Sequence, residues 1–200
     1  TKIAYVNTLM ELCHHLPNTN VDEVMNGLKM CNKRIISDKY LSGGMGDGGG
    51  CHPRDNIALS WLSDKLGLSF NWFDNIMKQR EVQTEWLADL IEEHSAGLPI
   101  NILGKSFKPQ TNITTGSPSI LLNNILEERG HAVFMWDPYV DGPFPTEYGE
   151  FDEPQCYFIG TKHEDFVNFP YEKDSIIIDP WRFIPDIYNC KVIRIGDNNK

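Results

Sequence analysis

The spacing of apolar residues divides the chain into a helical first half and a mixed second half. Apolar residues recur every three to four positions over residues 3–13, 57–66 and 72–93, which is the period of an amphipathic helix. Asn20, with Glu23 three positions later, is typical of the start of a further short helix. We therefore expect an all-helical domain over residues 1–96.

After Gly97 the pattern changes to short apolar runs separated by polar or helical segments. The runs at residues 100–104, 132–136, 156–160, 175–179 and 191–195 predict strands. Ser117 and Pro118 predict the start of a helix that Gly130 ends, and residues 164–169 predict a short helix. Because strands that alternate with helices form a parallel sheet, we expect an α/β protein whose second domain, residues 97–200, is Rossmann-like.

A glycine-rich run that ends in a cysteine lies between the predicted helices. Residues 42–55 read S-G-G-M-G-D-G-G-G-C-H-P-R-D, and residues 42–50 are called the glycine loop below. Glycines let a ligand approach the main chain closely. Pro53 favours the first turn of a helix, so Cys51 is expected at a helix N-terminus, which favours a thiolate. With Asp55 one turn later, the run predicts a covalent active site; the alternative is a flexible loop beside a buried cysteine.

Charge and cysteine content exclude several classes of function. The chain has 200 residues, is 40% hydrophobic and carries a formal net charge of −10, which argues against nucleic acids and anionic membranes as partners. No apolar run reaches the length of a membrane span. The five cysteines include no C-x-x-C pair, which predicts reduced thiols in a cytoplasmic protein. Adjacent Cys and His residues lack the spacing of metal ligands, so no metal site is expected.

Two motifs resemble the UDP-glucose/GDP-mannose dehydrogenase family. Residues 46–55 read G-D-G-G-G-C-H-P-R-D and resemble the family's active-site signature G-x-G-G-S-C-F-P-K-D. Residues 104–118 read G-K-S-F-K-P-Q-T-N-I-T-T-G-S-P and resemble its G-L-A-F-K-P-x-T-D-D-x-R-E-S-P. Weaker similarities follow the family's order: R-I at 34–35, W-D-P-Y at 136–139 and T-K-H-E-D-F at 161–166.

The resemblance implies an enzyme that oxidises the C6 alcohol of a UDP-hexose, such as UDP-glucose, to a carboxylate. The family does this in two NAD-dependent steps through a cysteine thiohemiacetal and thioester. Cys51 would be the nucleophile and Asp55 the carboxylate that assists hydrolysis, while Cys51 and Arg54 would contact the cofactor. The residues that would contact the nucleotide-sugar are Arg34, Tyr40, Leu41, Ser42, Gly43, Gly44, Gly48, Phe107, Lys108 and Arg182.

The resemblance covers the family's central helical domain and C-terminal substrate domain. No G-x-G-x-x-G follows a strand at the start of the chain, so the NAD domain, which would bind most of the cofactor, is expected to be absent. We therefore expect the chain by itself to be inactive. The resemblance also implies a homodimer that forms through the long central helix.

Two other functions stay open at this point. The family's acid pair and arginine are replaced by Asn112, Ile113 and Thr115, which would permit a dimeric nucleotide-sugar-binding module without catalysis. A thiol hydrolase using Cys51 with His52 is the other alternative, although neighbours in sequence rarely have the geometry of a nucleophile and its base. The sequence does not distinguish UDP from GDP or one sugar from another.

Overall fold

The computed structural model describes residues 1–31, 38–46, 49–144 and 153–198. The helices are α1 (Lys2–His15), α2 (Val21–Lys29), α3 (Cys51–Leu66), α4 (Trp72–Ser95) and α5 (Pro118–Glu128). The strands are β1 (Ile100–Leu103), β2 (Val133–Trp136), β3 (Cys156–Ile159), β4 (Ile176–Asp179) and β5 (Lys191–Arg194), with a 3-10 helix at Glu164–Asn168. The α/β fold class and the order of elements are confirmed. The α3 helix begins six residues before its apolar period because its first turn carries no large apolar residue.

Short local signals start and end the helices. The side chain of Asn20 accepts hydrogen bonds from the N–H groups of Asp22 and Glu23 at the start of α2. Ser117 likewise accepts one from the N–H of Ser119, and Pro118 is the first residue of α5. At the end of α3, Gly67 adopts a left-handed conformation with φ of 65°. These ends are therefore set by local sequence before any tertiary packing.

Five parallel strands form one sheet in the order β2-β1-β3-β4-β5. Side chains alternate between its two faces, so Ile100 and Ile102 join one hydrophobic cluster and Leu103 joins the other. The first cluster also contains Leu87 and Ile91 of α4 and Val6 of α1. The helical and α/β halves therefore share a continuous core, and the division into domains at residue 96 stays a prediction.

The α4 and α5 helices are also joined at the protein surface by charges. The guanidinium of Arg129 lies 2.6 Å from Glu85, 2.7 Å from Asp89 and 2.8 Å from Glu92. These carboxylates raise the pKa of Arg129.

Among the described helices, none is both long and apolar enough to cross a membrane.

The glycine loop packs closely against Trp181 and Pro118, because its glycines carry no side chain. A Cβ atom at Gly44 would lie 2.2 Å from Cζ3 of Trp181, and one at Gly46 would lie 2.6 Å from Cγ of Pro118. Gly46 also has φ of +72°, which favours glycine. The indole of Trp181 is held in place because its Nε1 donates to the carbonyl of Ile159 at 2.9 Å. Glycine at these positions is therefore a requirement of packing as well as of backbone conformation.

We predict that Gly44→Ala lowers the free energy of unfolding by about 1–3 kcal/mol, since the added methyl overlaps the fixed ring of Trp181. Gly27→Ala is the matched control, because Gly27 lies inside α2 with no atom near its Cβ position. The control should stabilise the protein by about 0.5–1 kcal/mol through helix propensity. Urea unfolding of both variants measures the difference, and equal stability of the two would contradict the packing argument.

Candidate functional site

A cleft of about 500 Å³ lies at the carboxyl ends of the parallel strands. Its walls come from the segments that follow β1, β3 and β4, from the glycine loop, and from α1 and α2. Ligands of open parallel α/β sheets bind at this edge, because the loops after the strands meet there. The cleft is therefore the candidate binding site.

The cleft brings together most of the residues predicted to contact a substrate. Those that line it are Tyr40, Ser42, Gly43, Gly44, Phe107, Lys108 and Arg182. Leu41 instead belongs to the buried core, so its side chain supports the loop from within. Arg34 and Gly48 lie outside the described residues. Direct contact of any of these residues with a substrate stays a prediction.

The predicted catalytic residues lie on the first turns of α3 and are not among the residues that line the cleft. Cys51 is the first residue of the helix, as its sequence context predicts, and it is exposed. Arg54 donates from Nε to the carboxylate of Asp55 at 2.8 Å, and this hydrogen bond raises the pKa of Arg54. The ring of His52 lies 6.4 Å from that of Tyr40, which also lines the cleft. Tyr40 thus connects the cleft to the helix that carries the thiol.

Three carbonyl groups of the glycine loop accept hydrogen bonds from buried side chains. The pairs are Arg182 Nη2 to Gly43 O (2.9 Å), Gln83 Nε2 to Gly44 O (2.9 Å) and Asn7 Nδ2 to Gly46 O (3.0 Å). The backbone N–H groups of residues 43–46 have no acceptor within the part of the chain that the structure describes. These residues are buried, and buried N–H groups normally have a partner. A row of such donors in a cleft suits an anionic or hydroxyl-rich ligand.

Two lysines give the cleft a positive character that the whole chain lacks. Lys108 follows β1 and Lys162 follows β3, and both line the cleft. Asp22 lines it too, but it forms an ion pair of 2.7 Å with Arg182. The described lining residues therefore carry an excess of positive charge, against a net charge of −10 for the chain. Lys162 was not among the predicted site residues, although its position directly after a predicted strand could have identified it.

Arg182 is bound inside the protein more completely than its predicted contact with a substrate suggests. Its side chain is 4% exposed and its Nε donates to Asp22. Nη1 donates to the carbonyls of Pro180 at 2.6 Å and Ile195 at 3.0 Å, and Nη2 donates to Asp22 and Gly43. The guanidinium thus joins α2, the glycine loop and the end of the sheet, and its function in this structure is to hold those segments together.

A buried carboxylate fixes the loop that carries Lys108. Asp137 Oδ2 accepts from the N–H groups of Lys105 (2.7 Å) and Ser106 (2.9 Å), from the Ser106 hydroxyl (3.0 Å) and from His163 Nε2 (3.1 Å). The N–H of Gln110 donates to His163 Nδ1, which assigns the ring hydrogen of His163 to Nε2. Ser106, His163 and Asp137 together resemble a hydrolase triad, but all three are buried, so we assign them a structural function.

The ionised form of Asp137 is strongly favoured in the folded protein. Burial by itself raises the pKa of this carboxyl, but the hydrogen bonds from His163 and from the N–H groups of Ser106, Lys105 and Tyr139 outweigh it. Its pKa therefore lies well below the ordinary value. At the end of β4, Asp179 similarly accepts from the N–H groups of the loop that carries Trp181 and Arg182, although burial leaves its pKa raised.

Among the described residues there is no cluster of metal ligands, and the turn after β1 is not the glycine-rich turn of a dinucleotide site. No three His, Cys, Asp or Glu side chains among them are placed to hold a metal ion. A dinucleotide site needs a glycine-rich turn between a strand and a helix. Here β1 is followed by G-K-S-F, and a Cβ atom added at Gly104 would lie 2.5 Å from Cβ of Thr161. The predicted cofactor contacts of Cys51 and Arg54 stay predictions.

The fold and the cleft define an α/β protein with a positively charged cleft at the strand ends of a parallel sheet. Residues 1–81 match the central domain of the UDP-glucose/GDP-mannose dehydrogenase family. The UDP-glucose 6-dehydrogenase TuaD of Bacillus subtilis is 28% identical over 141 residues, or 69% of this chain and 30% of that protein. The UDP-glucose 6-dehydrogenase of Pseudomonas aeruginosa is 27% identical over 154 residues, or 75% of this chain and 33% of that protein.

Solved structures show the same fold over nearly the whole chain. A UDP-glucose dehydrogenase from Pyrobaculum islandicum superposes with a TM-score of 0.81 and 23% identity, covering 98% of this chain and 47% of that one. A UDP-D-ManNAc dehydrogenase from Pyrococcus horikoshii gives a TM-score of 0.76 and 23% identity, covering 98% and 49%. The chain is therefore similar to proteins of the UDP-glucose/GDP-mannose dehydrogenase family, and it spans about a third of the length of the curated proteins it matches and about half of these structures.

We predict that Asp137→Asn lowers the free energy of unfolding at pH 7 by about 1.5–3 kcal/mol, because several hydrogen bonds to a charged group are weakened. The pKa of Asp137 is lower in the folded than in the unfolded chain, so its contribution is complete above about pH 5 and is lost as the pH falls below about 4. The difference between variant and wild type should therefore shrink in acid.

Asp186→Asn is the control, since Asp186 is an exposed carboxylate paired with Arg194. Urea unfolding between pH 3 and pH 7 measures all three proteins. A gap between Asp137→Asn and wild type that stays constant across this range would show that the charge of Asp137 does not stabilise the loop.

Proposed function

We propose that the chain is the substrate-binding and thiol-carrying part of a UDP-sugar 6-dehydrogenase. One observation carries this proposal: in a chain with a net charge of −10, a cleft with an excess of positive charge is lined by Tyr40, whose ring lies 6.4 Å from that of His52, the neighbour of the exposed Cys51. The names of the relatives, which are UDP-sugar dehydrogenases, support the choice of a UDP-sugar.

The cleft supplies two kinds of group that suit a nucleoside diphosphate. Lys108 and Lys162 offer cations from neighbouring segments of the sheet edge. The N–H groups of residues 43–46 offer neutral donors at a fixed backbone. Phosphate oxygens accept from both kinds of donor, and fixed N–H groups add directionality that flexible lysines lack. We therefore assign the diphosphate to the lysines and the loop, with the sugar directed towards Tyr40 and α3.

The exposed thiol of Cys51 then acts on the sugar after its C6 alcohol has become an aldehyde. The thiolate forms a C–S bond with the aldehyde carbon, and the carbonyl oxygen takes up a proton to give a thiohemiacetal. Both oxidations, of the alcohol to the aldehyde and of the thiohemiacetal to the thioester, require a hydride acceptor, which NAD would supply in the whole enzyme. We assign to Asp55, one turn after Cys51 on α3, the acceptance of a proton from the water that releases the carboxylate and regenerates the thiol.

NAD dependence and a cytoplasmic location belong to this proposal as expectations for the whole enzyme. The five cysteines, all of which lie in described residues, are free of disulfides, which is compatible with a reducing compartment. The replacements Asn112, Ile113 and Thr115 keep the non-catalytic binding module as the second candidate function.

We predict that UDP and UDP-glucose raise the melting temperature of the chain, since a ligand at 100 times its Kd adds about 2.7 kcal/mol to stability. The double variant Lys108→Met/Lys162→Met should lose most of this shift. Lys173→Met, which removes an exposed lysine elsewhere, should keep it. Bound UDP-glucose should also slow alkylation of Cys51 by iodoacetamide, while the exposed Cys31 reacts at an unchanged rate.

A larger shift with GDP than with UDP would reassign the base, and no shift with either would contradict the binding site. Binding that leaves the alkylation of Cys51 unchanged would favour the non-catalytic module, because the ligand would then not reach the thiol. If UDP raises the melting temperature of the wild type and of the double variant equally, the two lysines do not hold the diphosphate.

We further propose that the chain forms a homodimer through the hairpin of α3 and α4. The long helix α4 buries Leu87, Leu90 and Ile91 against its own sheet, so its apolar face is already used. In α3, all of whose residues are described, Ser63 is the one buried residue. The large apolar side chains that the hairpin exposes are Ile57, Leu59, Trp61, Leu62, Leu66, Leu68, Phe70 and Trp72. Large exposed apolar side chains in this number on one helical hairpin are typical of a protein interface.

We predict that Trp61→Glu converts a dimer into a monomer in sedimentation equilibrium, because a buried unpaired charge opposes association. Tyr188→Glu is the control, since Tyr188 is an aromatic residue of the α/β half that is 90% exposed. It should leave the dimer intact. A wild-type chain that is monomeric at high concentration, or a Trp61→Glu variant that still dimerises, would refute this interface.

A further inference from the structure

We propose that Gln83, acting with Asn7, is a positioning residue for nucleotide-sugar binding. Gln83 lies on α4 and contributes no atom to the lining of the cleft, yet it determines how the glycine loop presents its backbone. The inference rests on the proposed function for the identity of the ligand. The order of the loop backbone can be measured without any ligand, so the function of Gln83 and the identity of the ligand can be tested separately.

Two buried amide side chains connect α1, α4 and the loop. Gln83 Nε2 donates to the carbonyl of Gly44 at 2.9 Å, and Gln83 Oε1 accepts from Asn7 Nδ2 at 3.1 Å. Asn7 Nδ2 also donates to the carbonyl of Gly46 at 3.0 Å. Asn7 is 1% exposed and Gln83 is 2% exposed, so water does not compete for these bonds. The two amides therefore fix two carbonyls of the loop from one side.

Fixing a carbonyl also fixes the next N–H group. In a planar trans peptide the C=O and N–H bonds point in opposite directions. The bond from Gln83 to Gly44 O therefore aims the N–H of Met45 away from α4, and Met45 lines the cleft. Glycine-rich backbone would otherwise sample many conformations, and a ligand would have to order it on binding. Gln83 supplies that order in advance, which increases affinity.

Packing alone does not explain a glutamine at this position. Its neighbours on the buried face of α4 include Ile76, Leu87 and Ala88, and burying an amide among them is unfavourable unless it is hydrogen-bonded. The amide nitrogen of Gln83 donates to the carbonyl of Gly44 in the loop. Its amide oxygen accepts from Asn7, which also donates to the loop. An apolar residue would fill the same space without holding the loop, so the amide serves the loop.

The first test replaces Gln83 with Met, which has a similar length and no hydrogen-bonding amide. The measurement is the amide order parameter of Gly43, Gly44 and Gly46 in protein labelled with ¹⁵N-glycine, with UDP affinity measured in parallel by calorimetry. We expect order parameters near about 0.85 in the wild type and below about 0.6 in Gln83→Met. UDP affinity should fall about tenfold, the loss expected for one hydrogen bond. Gln79→Met, one turn earlier on α4, is the matched control and should change neither.

The second test uses Gln83→Glu, which remains informative if the Met variant folds poorly. A protonated carboxyl can donate to Gly44 O and accept from Asn7 as glutamine does, whereas the ionised form cannot donate. Burial raises the pKa of an introduced carboxyl. Between pH 8 and pH 5 the variant should therefore regain glycine order and UDP affinity relative to wild type at each pH. A side chain that only fills space would give no such pH profile.

The proposal is overturned if the glycine order parameters are unchanged in Gln83→Met, or if Gln83→Glu shows no recovery in acid. It is also overturned if the loop loses order and UDP binds as tightly as before. A wild-type chain that fails to bind UDP while its loop depends on Gln83 would contradict the proposed ligand and leave the positioning of the loop established.

Discussion

The docking of the glycine loop against the sheet is the interaction on which the rest of the site depends. Trp181 and Pro118 pack directly on Gly44 and Gly46, which is possible because these positions lack a side chain. Buried donors from α1, α4 and the loop after β4 hold the loop's carbonyls. The same loop leads into α3 and its thiol. The cleft, its N–H donors and the position of Cys51 therefore all depend on the packing of this loop.

Buried carboxylates give the remaining walls of the cleft their shape. Asp137 follows β2 and gathers the N–H groups of the loop after β1, while Asp179 ends β4 and gathers those of the loop after it. Each replaces water as the partner of several backbone donors, so these loops are ordered without regular secondary structure. Some of the acidic residues of the chain are thus buried and bind backbone N–H groups, while lysines line the cleft.

The similarity to the dehydrogenase family extends over both halves of the chain. The family match covers residues 1–81, which carry the thiol and the glycine loop, and the structural similarity extends over the parallel sheet. In the proposed function, the helical part carries the reactive group and the sheet carries the binding edge. Residues of α1 and α4 share a core with the sheet, so packing joins the two parts.

Local sequence by itself determined the elements of this protein and the position of Cys51 at the start of a helix. Apolar runs produced the five strands, Ser117 and Asn20 began helices, and the glycine loop placed Cys51 at the start of α3. The tertiary structure alone decided how distant residues meet. Asn7 and Gln83 are 76 positions apart, and Arg182 bonds with Asp22 from 160 positions away. Such pairings leave no periodic trace in the sequence, because they depend on the packing of α1, α2 and α4 around the loop.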